Sequence, residues 1–79
     1  MEQIKMTTTT YKTKYPGFYV DIVSSSKLFE SWLYHEQYGI KTFLFGVMKK
    51  DYSRQDCIEM TEADLETSIE NYKEDYMDE

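Results

Sequence analysis

Ser24-Ser25-Ser26-Lys27-Leu28-Phe29-Glu30-Ser31-Trp32-Leu33-Tyr34-His35-Glu36-Gln37-Tyr38-Gly39, followed directly by Ile40-Lys41-Thr42-Phe43-Leu44-Phe45-Gly46-Val47-Met48, is the stretch on which the fold turns. Leu28, Phe29, Trp32 and Leu33 recur at i, i+1, i+4 and i+5, a helical apolar stripe with Lys27, Glu30 and Ser31 off it. The serines offer an N-cap, because a hydroxyl there can accept from an unpaired backbone N–H of the first turn. Gly39 fits the position just past a helix end, which favours a residue free to adopt φ > 0. Residues 40–48 are apolar on both faces, as an interior strand or one covered on both sides would be. The spacing therefore predicts a short helix followed by a strand.

Upstream, Tyr11, Thr13 and Tyr15 alternate with Lys12 and Lys14, a β composition with one wet face. Residues 1–10 read either as the start of this strand or as a flexible lead-in. Tyr15-Pro16-Gly17-Phe18 is a turn of type II chemistry, with Pro at the second place and Gly supplying φ > 0 at the third. Phe18, Val20 and Ile22 alternate with Tyr19, Asp21 and Val23 in a second, half-buried strand. A strand, a crossover helix and a strand imply that the second and third strands run parallel.

Downstream, residues 49–60 form a polar connection, and Thr61-Glu62-Ala63-Asp64 resembles a capping box that starts a final helix. Leu65, Ile69, Tyr72 and Tyr76 fall on one face of that helix, and residues 77–79 form an acidic tail. The expected architecture is α+β, a single domain of residues 1–79 in the order β-β-α-β-α, with a three-stranded sheet and its helices packed against it.

Composition narrows the chemistry. The chain has 79 residues, one cysteine and one histidine. Neither an intrachain disulfide nor a Cys/His zinc cluster can form. Cys57 as a nucleophile lacks a neighbouring base, and His35, on a different element, is explained by its place near a helix C-terminus. The three glycines make no phosphate-cradling pattern, and no acidic loop has calcium-ligand spacing. The sequence thus points to a non-enzyme without cofactor or metal. With no apolar leader or spanning segment, the expected location is the cytoplasm, away from membranes.

Charge is distributed unevenly. Residues 1–50 carry a balance of +3 and residues 51–79 a balance of −9, giving the net −6. Glu62, Glu66 and Glu70 repeat every four residues, Glu59 extends the row, and Glu74, Asp75, Asp78 and Glu79 finish it. Like charges at i, i+4 cost a helix roughly 0.2–0.5 kcal/mol per pair. Acids in the last turns also oppose the helix dipole, so stability alone would not select them. If residues 61–79 were helical throughout, their net charge would spread over roughly 28 Å, about one charge per 4 Å. A strand of B-DNA carries about one per 3.4 Å of axis. Two readings follow. Glu59, Glu62, Glu66, Glu70, Glu74, Asp75 and Asp78 bind a protein with a basic, nucleic-acid-binding surface, or they only keep a small protein in solution. Tyr34, Tyr38 and Tyr52, at polar or loop positions, favour a binding role. Direct nucleic-acid binding is disfavoured, since Lys12, Lys14, Lys41, Lys49 and Lys50 are few against the overall charge.

A short, acidic, Tyr-rich domain with no catalytic motif and an acidic C-terminal helix resembles the small phage-encoded inhibitors called anti-CRISPR proteins. The stretch from Phe29-Glu30-Ser31-Trp32 through Phe45-Gly46 is also similar in character to small phage or mobile-element proteins. Several anti-CRISPR proteins imitate nucleic acid electrostatically and occupy the DNA- or PAM-reading groove of a Cas effector. The resemblance implies such an effector as partner and the host cytoplasm as location; it implies no fold and no site residues. The alternative is a small homodimeric structural or adaptor protein. Its working surface would be an uncovered sheet face or the strand edge near Tyr11 and Tyr15.

Overall fold

The computed structural model describes residues 6–77. Four strands, β1 (Thr7–Lys12), β2 (Phe18–Ser24), β3 (Leu28–His35) and β4 (Lys41–Met48), are followed by helices α1 (Arg54–Ala63) and α2 (Leu65–Tyr72) and a π-helical turn, Lys73–Met77. The strands form one sheet in the order β1-β2-β3-β4, every neighbouring pair antiparallel. The observed order is β-β-β-β-α-α.

The expected three-stranded β-β-α-β-α arrangement is thereby corrected, and the error lies in residues 28–35. In a strand, the apolar set splits between two faces. Phe29, Ser31, Leu33 and His35 turn toward the helices, while Leu28, Glu30, Trp32 and Tyr34 turn away. The same four apolar positions satisfy both periods, and the aromatic content favours the strand. Ser25 N–H donates to the Leu28 carbonyl at 3.0 Å, so the serines close a hairpin and do not cap a helix. Gly39 does take the left-handed conformation, φ +68°, but it closes the β3–β4 hairpin, its N–H donating to the His35 carbonyl at 2.8 Å. The second and third strands are consequently antiparallel.

Residues 40–48 hold a second correction: β4 lies at the sheet edge, not in its interior. Ser31 pairs with Phe45 but Trp32 with Phe43, leaving Leu44 as an extra residue in a β-bulge. The bulge shifts the alternation by one, sending Phe43 to Trp32 on the outer face while Leu44 and Phe45 pack against the core.

The Pro16-Gly17 turn has the expected chemistry, with Gly17 at φ +82° and Phe18 N–H donating to the Tyr15 carbonyl at 3.2 Å. β1 ends at Lys12, short of Tyr15. The final helical segment begins earlier than expected, within the supposed connection. Ser53 caps α1, its side chain accepting from Asp56 N–H at 3.1 Å while the Asp56 carboxylate accepts from Ser53 N–H at 2.9 Å. Thr61, the expected start of that helix, is a buried residue in the last turn of α1.

The core lies between the sheet and the helices: Phe18, Val20 and Ile22 of β2, Leu33 of β3, Val47 of β4, Cys57 of α1, and Leu65, Ile69 and Tyr72 of α2. Each fully buried apolar side chain contributes about 1.5–3 kcal/mol. Leu65, Ile69 and Tyr72 do share the buried face; Tyr76 is exposed and packs on the Tyr72 ring at 4.9 Å. Two polar contacts tie the layers together. Thr61 Oγ1 donates to the Cys57 carbonyl at 2.8 Å and accepts from Ser31 Oγ at 2.8 Å. The Tyr72 hydroxyl donates to the Ile40 carbonyl at 2.6 Å and accepts from His35 N–H at 3.3 Å.

Candidate interaction surfaces

Two surfaces are left over once the core is closed. The first is the outer side of the helical layer. Glu59 and Glu62 on α1, Glu66 and Glu70 on α2, and Glu74 and Asp75 on the π-helical turn are all exposed. Asp78 lies outside the described residues. The helical path is interrupted at Asp64 (φ −112°, ψ 11°), and it widens after Tyr72. The acids therefore do not form the single straight row their spacing implies. Glu62 leans to the β1 side, lining a groove of about 220 Å³ with Tyr11, Lys14, Ile58 and Leu65. Asp75 leans the opposite way, into a groove beside Phe43 and Phe45. Glu59 shares a shallow depression with Asp51, Asp56 and Met60. The structure gathers these residues on one layer but fans them across it.

Among the described residues no acid of this layer is held in an ion pair. Among the described residues the only ion pair joins Lys41 and Asp21, on the far side of the sheet. Glu59 accepts a hydrogen bond from the Gln55 amide at 3.2 Å. Arg54 is turned inward, over the Phe29 ring at 5.4 Å, its guanidinium donating to Thr9 Oγ1 at 3.4 Å.

The second surface is the uncovered face of the sheet, whose aromatic character a helical reading of residues 28–35 does not show. Tyr19 and Tyr34 stack there with ring centroids 5.7 Å apart, and Trp32 meets Phe43 edge-on at 5.2 Å. Phe43 is 51% exposed and Met48 39%. Beneath them Asp21 is buried, accepting from Thr10 Oγ1 at 2.7 Å and from Lys41 Nζ at 2.7 Å. The Asp21 hydrogen bond and charge hold the Lys41 ammonium above the ordinary lysine range, so it stays charged. The alternation in β2, read correctly as half-buried, already places Tyr19, Asp21 and Val23 on one side.

The two residues weighed for chemistry, His35 and Cys57, are both buried. His35 is a buried strand residue whose Nδ1 accepts from Gln37 N–H at 3.1 Å, with Phe18 against its ring at 4.8 Å; it is not at a helix terminus. Cys57 is fully buried, and desolvation pushes its thiol pKa up, partly opposed by the Arg54 charge. A nucleophilic thiolate needs the reverse. Among the described residues no three His, Cys, Asp or Glu side chains are grouped to hold a metal ion, and no helix is long and apolar enough to cross a membrane.

No protein-family model matches the chain, and no match was found among the curated proteins or the solved structures.

Proposed function

We propose that this is a non-catalytic, phage-encoded inhibitor of the anti-CRISPR type, acting in the host cytoplasm. Its acidic helical layer occupies the basic nucleic-acid-binding groove of a target protein, of which a Cas effector is the type. One observation carries the reading: Glu59, Glu62, Glu66, Glu70, Glu74 and Asp75 are exposed together, and none has an ion-pair partner among the described residues. Each carboxylate stands in for a phosphate against a groove Lys or Arg, and DNA is excluded by competition. The fanned arrangement suits a concave target, since a groove meets acids on both flanks and the crest of the layer. Such pairing is steeply salt-dependent, because exposed charges are screened over about 8 Å at physiological ionic strength.

The test is capture of partners from host lysate on the immobilised chain, with elution by a salt gradient and by duplex DNA. A variant with E62Q, E66Q, E70Q and E74Q runs in parallel. The expected result is a nucleic-acid-binding protein that elutes at moderate salt, is displaced by DNA, and is not retained by the variant. Equal retention by the variant, or salt-resistant retention, sinks the inhibitor reading.

The aromatic sheet face favours a second reading, a small structural or adaptor protein whose acids only solubilise it. Salt-resistant capture that depends on Phe43 distinguishes it.

A further inference from the structure

We infer that the uncovered face of the sheet is a self-association surface, on which a second copy of this chain packs face to face about a two-fold axis. The molecule has only two layers: its shortest extent is 18 Å, against 47 and 27 Å. One side of the sheet is covered by the helices, and among the described residues nothing covers the other. That open side carries Leu28, Trp32, Tyr34, Tyr19 and Phe43, with Phe43 half exposed.

Charge selects the occupant. Among the described residues, the ionic groups on the open face are Lys12, Asp21, Glu30 and Lys41, which sum to zero. Asp21 and Lys41 are paired with each other, and Glu30 accepts from the Trp32 indole N–H at 3.1 Å. A polyanion or a polycation gains no net attraction from such a face, whereas a copy of the same face meets a surface without net charge, aromatic over β3 and β4 and threonine-lined along β1. The other modes of self-association are disfavoured. Helix layer against helix layer brings two sets of unpaired acids together, and helix layer against sheet buries one set of acids against a face without net charge to pair them. Sheet against sheet is closed and sets the two acidic layers on opposite outer sides.

Area is sufficient, though not generous. Four strands at about 4.8 Å spacing and about 25 Å long present roughly 500 Å². A pair therefore buries roughly 1,000 Å², the lower bound of a specific interface, so the dimer belongs to the weak, micromolar class. The pairing does not depend on the inhibitor reading, because the acidic layers stay free in the dimer.

The experiment is sedimentation velocity of the full chain from about 1 µM to about 500 µM, a range that brackets micromolar dissociation. The fluorescence of Trp32, the single tryptophan, is followed over the same dilution. Expected are a reversible monomer–dimer equilibrium and a red shift of Trp32 emission on dilution. F43E and, separately, M48E are expected to weaken dimerisation at least about tenfold, equivalent to about 1.4 kcal/mol, with an unchanged circular dichroism spectrum. Glu66→Gln on the helical layer is expected to leave the equilibrium within about twofold. A monomer at every concentration overturns the inference. So does a dimer that survives both sheet-face variants, or one that forms without a change in Trp32 emission; the last readout needs no variant to fold.

Discussion

Removal of one oxygen, in Tyr72→Phe, tests how the helices are fastened to the sheet. The β3–β4 ladder ends at the Tyr34–Lys41 pair, and one more rung would join His35 to Ile40. That rung is replaced by the Tyr72 hydroxyl, which accepts from His35 N–H at 3.3 Å and donates to the Ile40 carbonyl at 2.6 Å. The ring is 1% exposed, so water does not reach the site without a rearrangement. Phenylalanine keeps the ring and its edge-on contact with Phe18 at 5.7 Å, but deletes both hydrogen bonds. The bond to Ile40 is worth about 1 kcal/mol net, and a buried N–H left without an acceptor costs about 1–3 kcal/mol. The loss expected is about 2–4 kcal/mol, a large part of the stability of so small a domain. At about 4–8 °C per kcal/mol, Tm falls by roughly 8–32 °C. Thermal and urea unfolding followed by circular dichroism measure it. Tyr76→Phe is the control, because Tyr76 is 39% exposed, and it is expected to change stability by less than about 0.5 kcal/mol. Should Tyr72→Phe also lose less than about 0.5 kcal/mol, the hydroxyl is not a structural rung and the reasoning fails.

Three further outcomes follow from the same structure. Thr61→Val is expected to cost about 1–3 kcal/mol, because the fully buried Ser31 hydroxyl then loses its acceptor, while Ser31→Ala costs about 0.5–1.5 kcal/mol. A double-mutant cycle in urea should show coupling of at least about 0.5 kcal/mol, and strict additivity would count against the hydrogen bond. Gly17→Ala should lose more than about 1 kcal/mol, since its φ is +82° and an added Cβ meets the His35 imidazole. Gly39→Ala, at φ +68° but in open space, should cost less; the reverse order in thermal melts would refute the steric account. Cys57 is expected to resist thiol reagents until the chain unfolds. Its folded pKa lies above the unfolded value near 9.0, so its contribution is fully present below that pH and declines as pH rises toward the folded value. Comparison with Cys57→Ala over this window isolates the effect, and parallel stability curves for the two proteins would remove it.

The acids of the helical layer were legible because charge and spacing are written along the chain. Glu62, Glu66 and Glu70 are found on helices, exposed, as their period implies. Their division between two flanks was not legible, because it arises from the interruption at Asp64 and the widening after Tyr72. The aromatic face was missed for a different reason. Its members, Tyr19, Trp32, Tyr34 and Phe43, come from three strands and meet only through register.

Local chemistry determined the Pro16-Gly17 turn, the β2 alternation, the left-handed Gly39 and the buried face of Leu65, Ile69 and Tyr72, since each depends on residues a few positions apart. The state of residues 28–35 was open at that range, because Leu28, Phe29, Trp32 and Leu33 satisfy a helical and a strand period equally. Only the tertiary structure decided it. As a strand, the segment pairs with β2 on one side and β4 on the other, and it buries Ser31 against Thr61. As a helix it would have left both neighbours with unpaired backbone, which a small domain without a disulfide has little means to offset.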